Sequence, residues 1–195
     1  MSALECAEDE PFGLAEPQLA MLDSYADALR AGWSPDNTTS VSVAQLAEIA
    51  RDPADFVFMR TDAANRDVRG RTITLPDGTS GQRIPMIERW IWDGSLAGRI
   101  GLRFVPGSDA LPAHVLGHIG YAIVPWKQRR GHATRALRLM VLEARKVGLR
   151  RVEITCDVDN IGSQKVIAVN GGRYVETFEM PQYGSSPKQR YVIEV

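Results

Sequence analysis

Six consecutive residues, Gln128-Arg129-Arg130-Gly131-His132-Ala133, bring two guanidinium groups, a glycine and a small residue to the start of an apolar helical stripe. A helix start leaves about four backbone N–H groups without internal partners and carries partial positive charge. Gly131 has no Cβ to hold a ligand away from the backbone. Ala133 is small for the same purpose, and the Thr134 hydroxyl adds a donor. Arg129 and Arg130 can each offer paired N–H groups to one oxyanion. Such a turn suits a phosphate or diphosphate. The same run would also serve as a solvated basic loop capping a helix, and anion binding alone names no reaction.

The turn must be aimed by what flanks it. Ala133, Ala136, Leu137, Met140, Val141, Ala144 and Val147 follow helical spacing, so a helix over 131–147 is expected to lie against a sheet. Before the turn, 117–124 reads as a strand, with Ile119, Tyr121 and Ile123 on one face and His118, Gly120, Ala122 and Val124 on the other. After it come a strand over 151–157 and a helix over about 161–169 that closes on Asn170-Gly171-Gly172. Strands at about 173–179 and 189–195 follow. Upstream, Pro17 opens a helix ending near Gly32, and the Ser42/Gln45 capping-box spacing opens a second that Asp52-Pro53 stops near Arg51. Residues 61–83 read as an irregular insertion or hairpin with a turn signal at Asp77-Gly78. Ile84 to Trp92 and Leu96 to Phe104 read as antiparallel strands joined at Asp93-Gly94. This order argues for one mixed α/β (α+β) domain over 17–195, preceded by a mobile acidic tail at 1–16.

At 195 residues the chain is long enough to bury a core without disulfides or metal. A net charge of −1 argues against a dedicated nucleic-acid binder, and no apolar run is long enough to span a membrane. Cys6 and Cys156 form neither a disulfide framework nor a zinc site. The acidic amino terminus lacks the layout of a secretory signal, so a cytoplasmic protein is expected and the sequon at Asn37 carries little weight. Residues 127–151 hold nine basic groups against Glu143 alone, a local charge of +8 that calls for an anionic ligand or for the acidic tail. The patterns of the P-loop, the Rossmann glycine turn, the zinc-protease helix and the serine elbow are all missing.

Gln128 to Ala133 resembles the Q/R-x-x-G-x-G/A signature of the GNAT superfamily of N-acetyltransferases. The flanking runs Gly117-His118-Ile119-Gly120-Tyr121 and Thr155-Cys156-Asp157-Val158-Asp159-Asn160-Ile161-Gly162-Ser163 are similar to a bacterial branch of predicted acetyltransferases. The resemblance runs over about 86–178, extends to the two opening helices, and leaves out 1–16 and 61–83. It implies a GNAT-like fold, with a mostly antiparallel, splayed central sheet flanked by helices. It also implies acetyl-CoA as co-substrate, without metal, and an amine-bearing acceptor acetylated directly in a ternary complex. In that family the pantetheine arm bonds strand backbone, here Ala122, Ile123 and Val124, and an N–H near Ala122 polarises the thioester carbonyl. The loop from Gln128 to Thr134, with Arg129, Arg130, Gly131, His132 and Ala133, would cradle the diphosphate. Asn160 and Ser163 stand where the next helix meets the pantetheine.

Amine acetylation needs a neutral nucleophile, so a general base is expected, and His118 is the candidate; a structural, hydrogen-bonded histidine is the alternative. Glu88 and Glu153 are further base candidates at strand positions, each with an exposed strand carboxylate as the favoured alternative. The family's usual acid, a tyrosine, is replaced by Ile167, leaving Tyr174, Tyr183 or Tyr191 as substitutes, or no acid at all. Cys156 alternates with Val152 and Ile154, which favours packing over an acyl-enzyme role. Three readings follow: an N-acetyltransferase, a non-catalytic acyl-CoA-binding regulatory domain, and a phosphate-backbone reader. The last is disfavoured because Arg129 and Arg130 cluster at one helix end. A homodimer and the identity of the acceptor are left open.

Overall fold

The computed structural model describes residues 12–195 except 67, 69, 76 and 77. Strand β4 (Met86–Trp92) turns back through Gly94, whose φ of +95° requires a residue without a Cβ, into β5 (Leu96–Arg103). β5 pairs in turn with β6 (Ile119–Ile123), also antiparallel. The expected mobile tail is corrected at its carboxyl end. Gly13–Ala15 form β1, which pairs with Trp90–Trp92 of β4, giving the sheet order β1-β4-β5-β6. This pairing is long-range, so local composition gave no sign of it. The rest of that tail, 1–11, lies outside the described residues.

A second antiparallel sheet, β7-β9-β8, is built from Arg151–Asp157, Lys188–Glu194 and Arg173–Phe178 respectively. Helix α5 (His132–Lys146) packs on β5 and β6, and α6 (Ile161–Val169) packs on α5 and β7. Ala136, Leu137, Met140 and Ala144 of α5 are buried against Ile100 and Leu102 of β5 and Val152 and Ile154 of β7, forming one core. A second core lies where α1 (Leu22–Arg30), α2 (Ser42–Arg51) and α3 (Pro53–Phe58) gather round Trp90, Leu96, Ala122 and Val124. There Tyr25 stacks on Trp90 with centroids 4.5 Å apart and meets Trp33 edge-on at 5.5 Å. Helices therefore cover both faces of the first sheet.

Two expected devices work differently. Ser42 does not cap α2; its hydroxyl donates to the Trp33 carbonyl (2.8 Å), tying the helix to the preceding loop. Asp52-Pro53 ends α2 and also begins α3, because Asp52 accepts from the Asp55 amide (2.9 Å) with proline at the first position. The insertion holds a short helix α4 (Asp62–Asn65) and a hairpin of β2 (Thr72–Thr74) and β3 (Ser80–Gln82). Gly78 has the positive φ, +81°, that the turn signal called for, while Asp77 lies outside the described residues.

The feature that makes a site is the seam between the sheets. Just before β6, His118 donates its amide to the Glu153 carbonyl (2.7 Å), and the Glu153 amide donates to His118 Nδ1 (3.0 Å). A Cβ on Gly117 would lie 2.9 Å from the Glu153 carbonyl oxygen, so only glycine lets the strands meet this closely. Beyond that point β6 and β7 belong to separate sheets and diverge. The cleft opens there.

Candidate active site

At one mouth of the cleft stands the amino terminus of α5. Gly131 is its N-cap with φ +79°, and Arg129 also takes a positive φ, +63°, so the turn folds back sharply on the helix start. The first intrahelical bond runs from Arg135 N–H to the Gly131 carbonyl (3.0 Å). The amides of His132, Ala133 and Thr134 precede it and have no carbonyl to bond within the helix. These residues, with Gln128 and Arg129, line a cleft of about 590 Å³ that runs on to Tyr121, Asn160 and Ser163. Arg129 and Arg130 are exposed, but only Arg129 is in the cleft wall.

His132 differs from its expected place. Its ring is buried, stacked on Phe12 with centroids 5.6 Å apart, and its Nε2 lies 3.1 Å from Asp93 Oδ2. Arg135 donates to its Nδ1 (3.0 Å), and burial lowers its pKa below the ordinary histidine value. The imidazole thus anchors the turn from behind, and only its amide faces the helix start. Lys127 is likewise engaged, paired with Asp93. The turn is held to the β4–β5 hairpin through that carboxylate.

Strand β6 presents one edge to the cleft, and the hydrogen-bond phase decides which amides are free. Arg103 donates to the His118 carbonyl and Val124 to the Ala97 carbonyl, so the even-numbered residues of β6 bond to β5. The odd ones, Ile119, Tyr121 and Ile123, turn their N–H and C=O groups to the open edge. Two side chains confirm the phase: Asn37 donates to the Tyr121 carbonyl (2.8 Å) and Gln128 to the Ile123 carbonyl (3.3 Å). Ala122 is therefore corrected as an oxyanion donor, since its N–H belongs to the ladder opposite Arg99. Val124 N–H is bonded too. The Tyr121 and Ile123 amides are among those that face the open edge.

His118 is also corrected as a base. It is 0% exposed, its Nδ1 accepts the Glu153 amide, and it lines neither half of the cleft. Burial lowers its pKa, so it stays neutral, locked in the seam. Asn160 takes its expected position as N-cap of α6, its Oδ1 accepting from the Ser163 amide (2.9 Å), and both residues line the cleft. Ile167 is wholly buried. Of the substitute tyrosines, Tyr174 bonds Thr177, Tyr191 bonds Gln189, and Tyr183 donates to the His114 carbonyl.

Tyr121 is the residue that sequence reading missed. Its hydroxyl is buried beside Ser163 but off hydrogen-bond geometry; burial pushes its pKa up to about 12, outweighing the lowering by Ser163, so the phenol keeps its proton. The only signal available was one hydroxyl on an otherwise aliphatic strand face. Tyr121, Asn37, Asn160 and Ser163 form the waist where the first half of the cleft meets a second of about 420 Å³. That second half is lined by Asp36, Arg99, Arg103, Gly120, Cys156 and Lys188 among others. Glu88 is buried rather than exposed, paired with Arg99 at 3.3 Å. Lys188 pairs with Asp157 at 2.5 Å. Burial pushes the Asp36 carboxyl up, but the hydroxyl and amide of Thr38, the Thr39 amide and the Arg99 charge outweigh it and hold Asp36 ionised. Burial pushes the Cys156 thiol up to about 11, leaving it protonated and poorly nucleophilic.

The fold that carries this helix start and cleft is shared with solved acetyltransferases. A family model described as the acetyltransferase (GNAT) domain matches residues 39–173, and the chain belongs to that family. It is similar in structure to the RimL ribosomal L7/L12 α-N-protein acetyltransferase in complex with coenzyme A. That likeness has 16% identity, 96% of this chain and 98% of that one covered, and TM-score 0.63. It is likewise similar to the microcin C7 self-immunity acetyltransferase MccE in complex with acetyl-CoA and AMP, at 15% identity, 96% and 94% coverage and TM-score 0.60. A third is a Salmonella typhimurium acetyl transferase that modifies the N-terminal serine of ribosomal protein L7/L12, at 15%, 94% and 95%, and 0.61. No curated protein matches the chain in sequence.

Proposed function

We propose that this protein is an acetyl-CoA-dependent N-acetyltransferase that moves the acetyl group directly to an amine with both substrates bound. The observation that carries this reading is the two-part cleft. One part leads from the α5 amides to the waist; the other reaches the same waist from a side lined by charged acceptor-type groups. Two substrates entering from opposite sides would meet at Tyr121, Asn160 and Ser163. The neutral, buried thiol of Cys156 disfavours a covalent acyl-enzyme route.

In this account the amides of His132, Ala133 and Thr134 and the Arg129 guanidinium hold the diphosphate of acetyl-CoA. The open-edge N–H groups of Tyr121 and Ile123 receive the pantetheine and polarise the thioester carbonyl. Asp36 attracts the acceptor ammonium, and its low pKa makes it a weak base, so the proton passes to water. The amine nitrogen then bonds the carbonyl carbon, the carbon–sulfur bond breaks, Tyr121 with Ser163 supplies a proton to the departing sulfur, and the proton shed by the acylated nitrogen restores the phenol.

Ile167, which stands where the family's usual tyrosine would be, favours the regulatory reading; the protonated Tyr121 hydroxyl at the waist answers it. Titration with acetyl-CoA followed by thiol release across an amine panel separates the two. Saturable binding with thiol release supports the enzyme; saturable binding with no amine consumed supports the regulator.

A further inference from the structure

The second half of the cleft holds five charged groups close together, and their pairing is uneven. Arg99 is matched by Glu88 and Lys188 by Asp157. Arg103 has no contact partner: among the described residues its guanidinium makes no ion pair or hydrogen bond, and Asp36 and Tyr183 act on it only at longer range, although it lines the cleft and is partly buried. Burial and the neighbouring Arg99 charge lower its pKa, and an arginine nevertheless remains charged at neutral pH. Asp36 is the matching leftover among the carboxylates. Its Oδ1 is taken by Thr38 and Thr39, it forms no ion pair among the described residues, and it lines the same wall.

The sheet is shaped to hold the two arginines in place. Gly101 and Gly120 stand opposite each other in the β5–β6 ladder. A Cβ on Gly101 would lie 3.0 Å from Arg99 Nη2, and one on Gly120 would lie 3.2 Å from Arg103 Nη2. The Arg99 guanidinium thus lies over Gly101 and Arg103 reaches Gly120 through one nitrogen, in space that side chains at these glycines would fill. A partly buried cation without a direct ion-pair or hydrogen-bond partner destabilises a fold, and such arrangements persist where a ligand completes them.

We infer that the acceptor is zwitterionic: its amine is drawn toward Asp36 while an oxyanion on the same molecule, carboxylate or phosphate, pairs with Arg103. This rests on the acetyltransferase reading and narrows it to a class of acceptor. Guanidinium is suited to both oxyanions because it can donate two parallel N–H bonds.

The test uses matched amines: β-alanine against β-alaninamide, 2-aminoethyl phosphate against ethanolamine, and Gly-Asp-amide against Gly-Asn-amide. Each is titrated into the full chain saturated with CoA, and turnover is read with acetyl-CoA by thiol release. The anionic member of at least one pair is expected to bind tenfold or more tightly, and the pair that responds tells carboxylate from phosphate. Arg103→Gln is expected to erase that difference and Arg103→Lys to keep part of it, with acetyl-CoA affinity unchanged in both. Equal binding within every pair, no binding by any member, or a preference that survives Arg103→Gln would overturn the inference. Loss of acetyl-CoA binding in the unmodified protein would instead overturn the acetyltransferase reading.

Discussion

A histidine at a strand start can be a base or a strut, and for His118 the surroundings decide. Its imidazole accepts a backbone N–H and has no route to the cleft. Because its pKa is lowered by burial, the folded protein binds fewer protons than the unfolded chain as pH falls through the ordinary histidine range near 6.5. Its stabilising contribution is therefore complete above that range and lost below it. Thermal unfolding between pH 8 and pH 5 should show the midpoint falling as pH drops, with a shallower fall in His118→Gln. Leaving the Glu153 amide unsatisfied should make His118→Ala less stable by about 2–3 kcal/mol, lowering the midpoint by about 5–10 °C. The pH–rate profile should keep its shape. Tyr121→Phe should do the reverse. Its kcat should fall about 100-fold, the low end of what a positioned proton donor contributes, while the Kd for acetyl-CoA stays within about twofold. The sequence offers the strut only as the alternative for His118 and assigns no role to the Tyr121 hydroxyl, since each depends on what a neighbouring element brings to the side chain.

Elements read better than residues. β7 and α6 were expected at 151–157 and 161–169 and lie at Arg151–Asp157 and Ile161–Val169, because strand alternation and the caps at Asn160 and Asn170 are local signals. β1 was missed because its only partner, β4, is over 70 residues away. The free edge of β6 was misjudged for a related reason: face alternation is written in the sequence, whereas hydrogen-bond phase is set by pairing with β5. That pairing has a weak point at Gly98, where an added Cβ would sit 2.3 Å from the Ala122 carbonyl oxygen. Gly98→Ala should displace β6, lowering both the unfolding midpoint and acetyl-CoA affinity. Gly131→Ala has open space for its methyl but a φ of +79°. It should cost about 1–2 kcal/mol in backbone strain or re-aim the helix start. Titration calorimetry should then show acetyl-CoA bound about tenfold more weakly.

For the whole molecule, two cores meet on one sheet, and the gap where that sheet parts from the second becomes the cleft. The seam at His118 and Glu153 fixes where divergence starts, and the α5 turn fixes where the cleft ends. The charge concentrated at 127–151 is partly absorbed by Asp93, Asp109 and Glu143. Arg129 remains exposed at the cleft mouth. Acetyl-CoA affinity should accordingly fall as ionic strength rises, as binding at exposed charges requires. The most direct test of the account is a titration of the ¹⁵N-labelled protein with CoA, followed by amide resonances. The amides of His132, Ala133, Thr134, Tyr121 and Ile123 should shift together and saturate, with Ala122 and Val124 moving less. Saturating shifts confined to another surface, or no shifts at the α5 start, would contradict it.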